Sequence, residues 1–294
     1  MERKNLLALG AMLLLAGPAA GADSRCDELM QKAEALWLGH DFDGSDRVLA
    51  EARKICPARP ELYWRRARNE FDRIEAIPRD KKPGKDELIA RYNAMEKLAD
   101  QCIALDEKDG NCWEWKAVAT GRRGTTLGVV NTLPELDDLE KLLLKAESLK
   151  PGYRSANGSA DSIGDIDSML GQFYRALPEW VCAFPFKQIV GTCGDMDKSV
   201  AYQRKAVARE PKRIEYQKEL AISLLCHGQR RGKPEEIEEA EKILRAIPSM
   251  PEIKPSDKVD KEHAKMILAD PSLACGYSRD AQQEQSQEAF KITP

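Results

Sequence analysis

The side chains that could carry out chemistry are few and scattered along this chain. Its three histidines, His40, His227 and His263, lie far apart, and no two cysteines have the C-x2-C spacing of a zinc site. Adjacent carboxylates such as Asp137 and Asp138 fall on the polar faces of predicted helices, where solvated charges are the rule. No Ser-His-Asp order, metal-ligand cluster or glycine-rich phosphate loop stands out. The sequence therefore predicts a binding protein rather than an enzyme, with no cofactor and no metal.

The N-terminal 22 residues have the three parts of a secretory signal peptide. Basic Arg3 and Lys4 precede an apolar run over residues 6–17, and Ala20-Gly21-Ala22 forms a small-x-small cleavage pattern. The apolar run is too short to span a bilayer as a helix, and no later run reaches that length. We expect cleavage after Ala22, a periplasmic or secreted mature protein, and no membrane span in it.

Eight cysteines in the mature chain form an even set behind this export signal, which is typical of disulfides. Antiparallel packing brings the start of one helix close to the end of the next, and a disulfide requires such proximity. With the two unassigned cysteines paired last, the predicted bridges are Cys26–Cys56, Cys102–Cys112, Cys182–Cys193 and Cys226–Cys275.

The mature chain is rich in Ala, Leu, Glu, Lys and Arg, which favours helices. Small residues recur along it at the spacing of tetratricopeptide repeats (TPRs), where two helices cross closely. Ala33 and Ala67 are 34 residues apart, the TPR period, and longer intervals lead on to Ala117, Gly171 and Ala221. We predict an all-α, TPR-like helical-hairpin solenoid of about five hairpins over residues 23–270, followed by a frayed or weakly helical tail, 271–294.

Most of the extra residues fall between the two helices of a hairpin. Such turns share one edge of a solenoid, and recurrent insertions there commonly build a binding surface. The first insertion, residues 78–85, is polar, and we expect it to form a solvated turn. The second, 121–134, is glycine-rich, and we expect it to be flexible. The third, 178–195, is apolar instead, so it is either buried or binds something apolar.

Two interpretations of the apolar insertion stay open. It folds back and caps its own repeat, or it lines a site for an apolar ligand. In the second case the contact residues are Trp180, Phe184 and Phe186, together with Tyr174 just before the insertion.

The chain also resembles a known family around this insertion. The stretch 170–178 reads Leu-Gly-Gln-Phe-Tyr-Arg-Ala-Leu-Pro, and 194–199 reads Gly-Asp-Met-Asp-Lys-Ser before Ala206 and Pro211. This run resembles the central repeat of the TatT family, the T component of some TRAP (tripartite ATP-independent periplasmic) transporters. The resemblance covers about residues 90–250 and is distinctive only over 170–211. It implies a periplasmic all-α protein with a ligand-accessible pore, whose partner is the transporter's solute-binding protein.

Two functional hypotheses follow. In the first, the protein is an accessory component of a TRAP-type transport system that binds an apolar small molecule or a periplasmic solute-binding protein. In the alternative, it is a protein–protein interaction scaffold of the cell envelope, the common role of TPR solenoids. The formal net charge of −3 argues against a nucleic-acid partner.

Overall fold

The computed structural model describes residues 19–177 and 179–279, and within these ranges the chain forms helices and no strand. The predicted signal peptide lies outside the described residues except for its last four, which belong to the first helical turn. None of the described helices has the length and apolar character needed to cross a membrane.

The described helices are α1 (Ala19–Leu38), α2 (Phe42–Ile55), α3 (Glu61–Glu75), α4 (Lys85–Leu105), α5 (Gly110–Leu127), α6 (Val129–Thr132), α7 (Leu136–Leu149), α8 (Ser162–Ala176), α9 (Phe186–Val190), α10 (Met196–Arg209), α11 (Ile214–Arg231), α12 (Pro234–Ala246) and α13 (Ser256–Ala269).

Five antiparallel hairpins succeed one another along the chain. They are α1–α2, α3–α4, α5–α7, α8–α10 and α11–α12, and α13 packs on the last of them. The residues expected at close helix crossings are buried, including Ala67, Ala117 and Ala221. At Gly171 an added Cβ would lie 2.5 Å from the Nε2 atom of Gln203, so α8 and α10 can approach this closely only because residue 171 has no side chain. The predicted TPR-like solenoid is confirmed.

Aspartates begin four of the hairpin helices. Asp41, Asp109, Asp161 and Asp195 each precede a helix and accept a hydrogen bond from a free backbone N–H of its first turn. This side-chain capping satisfies donors that have no partner within the helix. The local sequence thus determines where these helices start.

The insertions lie together on one edge, as the repeat pattern predicts. The Lys85 ammonium group at the end of the first insertion donates to the Leu127 carbonyl oxygen, 3.3 Å away, in the middle of the second insertion. Helix α9 of the third insertion packs on the 3-10 turn Leu133–Glu135 of the second. The second insertion differs from the expected flexible loop. Its glycines continue α5 as far as Leu127, because Thr126 and Thr132 are buried there and packing outweighs the low helix propensity of glycine.

The C-terminal segment closes the solenoid on itself. The Arg279 guanidinium, through Nε, lies 2.5 Å from the Glu75 carboxylate of α3, and its Nη2 donates to the Glu75 carbonyl oxygen at 3.3 Å. A ring nitrogen of His40 lies 3.3 Å from the Ile253 carbonyl oxygen. The first two repeats therefore contact the last segment of the described chain, and the superhelix encloses its own axis.

The packed part of the chain continues into the segment predicted to be a frayed C-terminal tail, 271–294. Its first part forms a 3-10 helix, Pro271–Gly276, and Tyr277 and Arg279 are buried. Residues 280–294 lie outside the described residues. The ordered domain thus extends at least to residue 279, because a disulfide and buried polar contacts hold this segment.

All eight cysteines are paired, and the pairs are the four that the helix order predicts: Cys26–Cys56, Cys102–Cys112, Cys182–Cys193 and Cys226–Cys275. The first bridge joins the two ends of one hairpin, and the last ties the C-terminal segment to α11. Such bridges persist in oxidising compartments, which is consistent with an extracytoplasmic protein.

Candidate functional site: a cavity inside the closed solenoid

The closed superhelix contains a cavity of about 180 Å³ that opens to solvent. The cavity is surrounded mainly by the first helices of the hairpins, α3, α5, α8 and α11, with α7 and the C-terminal segment completing the wall. Concave sites that combine apolar and aromatic side chains with a few polar groups are typical of small-molecule binding.

One wall of the cavity is apolar. Leu136, Leu139 and Leu143 of α7 face it together with Phe173 of α8. Closer to the polar side, Phe71 and Trp115 pack edge to face with their ring centroids 5.7 Å apart. This wall offers a ligand an apolar surface with aromatic rings at its polar border.

The opposite wall is dense in charge. Seven basic and six acidic side chains line the cavity. The basic ones are Arg68, Arg122, Arg175, Arg213, Lys218, Lys254 and Arg279. The acidic ones are Asp72, Glu114, Glu135, Asp165, Glu215 and Glu219.

Each of the seven basic side chains forms an ion pair with a carboxylate of the protein. The pairs are Arg68–Glu34, Arg122–Glu75, Arg175–Glu219, Arg213–Asp165, Lys218–Asp260, Lys254–Glu215 and Arg279–Asp260. Burying a charge is costly unless it is paired, so these contacts allow the wall to exist.

The pairs form networks rather than isolated contacts. The Lys218 ammonium group donates to the Asp260 carboxylate at 2.6 Å and to the Tyr277 hydroxyl at 2.9 Å. Burial alone would raise the pKa of Asp260, but Arg279 and Lys218 hold it at about 2. Burial raises the pKa of Tyr277 to about 12, so this hydroxyl stays protonated.

A second network lies beside α11. Arg213 donates to Asp165 at 3.0 Å and to Glu215 at 3.1 Å, and Lys254 donates to Glu215 at 2.8 Å. Burial would raise the pKa of Glu215, but Lys254 and Arg213 outweigh it and hold the value well below its usual range. Glu215 is therefore a stable anion that neutralises two cations at once.

Two of the six acidic side chains differ from the rest, because Asp72 and Glu114 form no ion pair with any described residue. Asp72 accepts a hydrogen bond from the indole N–H of Trp37 at 2.7 Å. Glu114 is 1% exposed, and its Oε2 atom has no hydrogen-bond partner. Burial raises the pKa of both carboxyls, and for Glu114 the nearby Asp165 raises it further, to well above the usual range.

The residues predicted to bind a ligand do not line this cavity. Tyr174 is buried on another face of α8, where its hydroxyl donates to Glu140 at 2.5 Å and its ring stacks on Tyr202. Trp180, Phe184 and Phe186 lie on the insertion and are 39%, 79% and 44% exposed. That these four contact a ligand remains a prediction.

The insertion nevertheless supports the cavity wall from behind. Its Val181 and Val190 are buried in the same apolar cluster as the cavity residues Leu136, Phe173 and Leu177. Its outer face is exposed, with the rings of Trp180 and Phe186 in edge-to-face contact. The inner face thus packs on its own repeat, as the first interpretation predicts, and binding by the outer face remains a prediction.

A sequence pattern marks part of the cavity lining. On α5 and α8, residues three before, one after and five after the small landmark form a stripe with a spacing of four. Around Ala117 these are Glu114, Val118 and Arg122, and all three line the cavity. The stripe faces the superhelix axis, so its charged members indicate the chemistry of the interior.

No family model matches the sequence, and no curated protein matches it. Among solved structures, the fold is similar to that of a monomeric mutant of IFIT1 with Gppp-AAAA, with a TM-score of 0.51 at 13% identity over 92% of this chain and 51% of that one. A second IFIT1 monomeric mutant, with m7Gppp-AAAA, gives a TM-score of 0.47 at 16% identity over 93% of this chain and 51% of that one. The chain spans about half the length of the structures it matches. At this identity the likeness shows the fold alone, a TPR-like helical solenoid.

Proposed function

We propose that the protein is an exported TPR-like binding protein that holds a small amphipathic molecule inside its closed solenoid. The observation that carries the proposal is the cavity itself, whose lining combines leucine and phenylalanine side chains with paired charges. Such a lining suits a ligand with an apolar body and one polar end.

A small molecule fits this interior better than a peptide or protein segment. TPR scaffolds hold extended partners in an open concave groove. Here the contacts of Arg279 with Glu75 and of His40 with Ile253 bridge the first repeats and the C-terminal segment across that groove. The envelope-scaffold alternative would then have to use an outer surface, such as the exposed side of the insertion.

The resemblance to TatT proteins supports an accessory role in a TRAP-type transport system, with a solute-binding protein as partner. In this proposal the cavity holds the transported compound or a related one, and the exposed aromatic face of the insertion contacts the partner. We do not propose nucleic acid as the ligand, although the names of the two IFIT1 structures include Gppp-AAAA and m7Gppp-AAAA. The cavity lining has nearly equal numbers of basic and acidic groups, and a polyanion requires an excess of free cations.

The test is native mass spectrometry of the protein purified from its own host, with a variant that fills the cavity. Gly121 lines the cavity on α5, and a Cβ added there would lie 3.8 and 3.9 Å from the Leu139 methyl groups. Gly121→Leu should occupy this space while raising helix propensity by up to about 1 kcal/mol. We expect a small bound mass on the wild type and its loss from this variant.

Gly152→Leu is the matched control, because Gly152 is exposed and has open space around its Cα. It should keep the bound mass. Retention by Gly121→Leu and loss from a Trp180→Ala/Phe184→Ala variant would move the site to the insertion. A wild type that carries only another polypeptide would favour the scaffold function.

A further inference from the structure

Ion pairing in the cavity wall is complete for the basic side chains but not for two of the carboxyl groups. All seven basic side chains have carboxylate partners, whereas no described cation forms an ion pair with Asp72 or Glu114. We propose that the cavity binds an organic cation, an amine with an apolar body, whose ammonium group lies against the carboxylate of Glu114. This inference rests on the proposed function and names the chemical class of its ligand.

Glu114 is the better placed of the two carboxyls. It lies on α5, it is almost completely buried, and Oε2 has no hydrogen-bond partner among the described residues. The groups that face it are Asp161 and Asp165 at the start of α8, Ser162 beside them, and Arg68 of α3. Arg68 is already held by Glu34 at 3.0 Å. An ammonium group would supply both the missing charge and the missing donor.

Asp72 provides a second acceptor in the same cavity. Besides the Trp37 N–H, the groups around it are Lys254 before α13, Arg213 before α11 and Arg68 of its own helix. Each of these three cations has its own carboxylate partner. Burial therefore dominates at Asp72 and raises its pKa, which is the state expected for a carboxyl that lacks a counterion.

The aromatic rings at the border of the apolar wall also suit a cation. Phe71 precedes Asp72 and Trp115 follows Glu114 in the sequence, and both rings line the cavity. A ring face attracts an ammonium group within about 6 Å. The body of the amine would then extend along Leu136, Leu139 and Leu143.

An anionic head group has less to bind. Among the described residues, Nε of Arg68 and both Nε and Nη1 of Arg213 have no acceptor. The charge of Arg68 is nevertheless paired with Glu34, and that of Arg213 is shared between Asp165 and Glu215. A carboxylate ligand would meet Glu114 and Asp72 without finding an unpaired cation. The charge pattern of the empty wall thus favours an amine over an acid.

The experiment is isothermal titration of the full chain, freed of any co-purified ligand, with three probes of equal length: n-octylamine, n-octanoate and n-octanol. We expect n-octylamine to bind at least about tenfold more tightly than the other two, because only it can pair with the buried carboxyl. Glu114→Gln, which keeps the shape of the side chain, should reduce this preference to about threefold or less. Glu135→Gln is the matched control, since Glu135 lines the cavity but already pairs with Arg123.

Proton linkage provides a readout that a purely structural role would not move. Burial and the nearby Asp165 raise the pKa of the Glu114 carboxyl in the empty cavity, and an ammonium group bound against it would lower that pKa. The affinity for n-octylamine should therefore rise with pH as long as the amine itself stays protonated. Titration in two buffers of different ionisation enthalpy should show proton release when n-octylamine binds, and Glu114→Gln should abolish that release.

The outcomes separate the two proposals. Equal or tighter binding of n-octanoate, or an unchanged amine affinity in Glu114→Gln, overturns the amine assignment but leaves the cavity as a small-molecule site. If none of the three probes binds and Gly121→Leu leaves every co-purified mass in place, the cavity function fails as well.

Discussion

The aromatic insertion exposes apolar side chains to solvent, whereas the interior cavity buries charged ones. In both regions a globular protein is expected to do the reverse. The insertion exposes Phe184 and Ile189 at 79% and 75% of their surface, whereas the cavity wall buries Lys218, Asp260 and Arg279 almost completely. Apolar side chains can stay exposed when a disulfide and a buried inner face hold the loop, as Cys182–Cys193 does here. Buried charges persist only as mutually paired networks. The comparison teaches that closure of a solenoid determines which polar surface becomes interior.

The largest expected effect comes from breaking the buried network. Asp260→Asn would remove the counterion that Lys218 and Arg279 share and leave each with one other carboxylate, Glu219 and Glu75 respectively. We therefore expect a loss of about 3 kcal/mol in the free energy of unfolding. Urea denaturation of the full chain measures this.

The control for Asp260→Asn is Arg204→Ala, which breaks the exposed pair with Glu239 and should cost at most about 1 kcal/mol. Acid provides a second check. The pKa of Asp260 is lowered to about 2, so its contribution is complete above about pH 4 and is lost as pH falls towards 2. The Asn variant should lack this part of the acid dependence, and comparable losses for the two variants at neutral pH would contradict the buried-network argument.

Removing a disulfide should have an effect of intermediate size on stability, and the size of this effect should differ between the two regions. Cys226–Cys275 closes a sequence separation of 49 and ties the C-terminal segment to the ring, so replacing both cysteines with Ser should cost about 4 kcal/mol. Cys182–Cys193 closes a separation of only 11 within a surface insertion, and its removal should cost about 3 kcal/mol or less. Thermal unfolding of the two double variants compares them directly. A larger loss for the insertion bridge would mean that the insertion, rather than the C-terminal closure, dominates the stability of the fold.

The smallest expected effect is that of Trp180→Ala/Phe184→Ala. Both rings are substantially exposed, so the free energy of unfolding should change by less than about 1 kcal/mol. Denaturation and native mass spectrometry on the same sample measure stability and ligand retention together. A stability loss of several kcal/mol would show that the outer face of the insertion is part of the core, and the contrast between the two regions would then fail.

Much of the fold was predictable from local signals. The recurrence of small residues from Ala33 to Ala221 predicted five hairpins, because close helix crossings tolerate only small side chains. The cysteine pairs followed from the order of helix ends. The glycine-rich insertion was less predictable, since burial of Thr126 and Thr132 outweighed glycine in α5.

The candidate site was much less predictable. Glu114 and Asp72 are two charged residues among many on predicted helices, and nothing local distinguishes them from solvated ones. The exposed aromatic insertion attracted the prediction instead, because an apolar loop is the stronger local signal. Whether a charged side chain has a partner depends on residues far away in the chain.

The sequence by itself determined the elements of this protein: the helices, their capping aspartates, their repeat spacing and the positions of the cysteines. These features depend on neighbours within a few turns of helix or within one repeat. Only the tertiary structure decided that Arg279 meets Glu75, 204 residues away, and closes the superhelix. That contact converts a charged concave face into a buried wall. Whether a carboxylate in this wall acquires an ion-pair partner depends on residues from distant repeats, and among the described residues Glu114 acquires none.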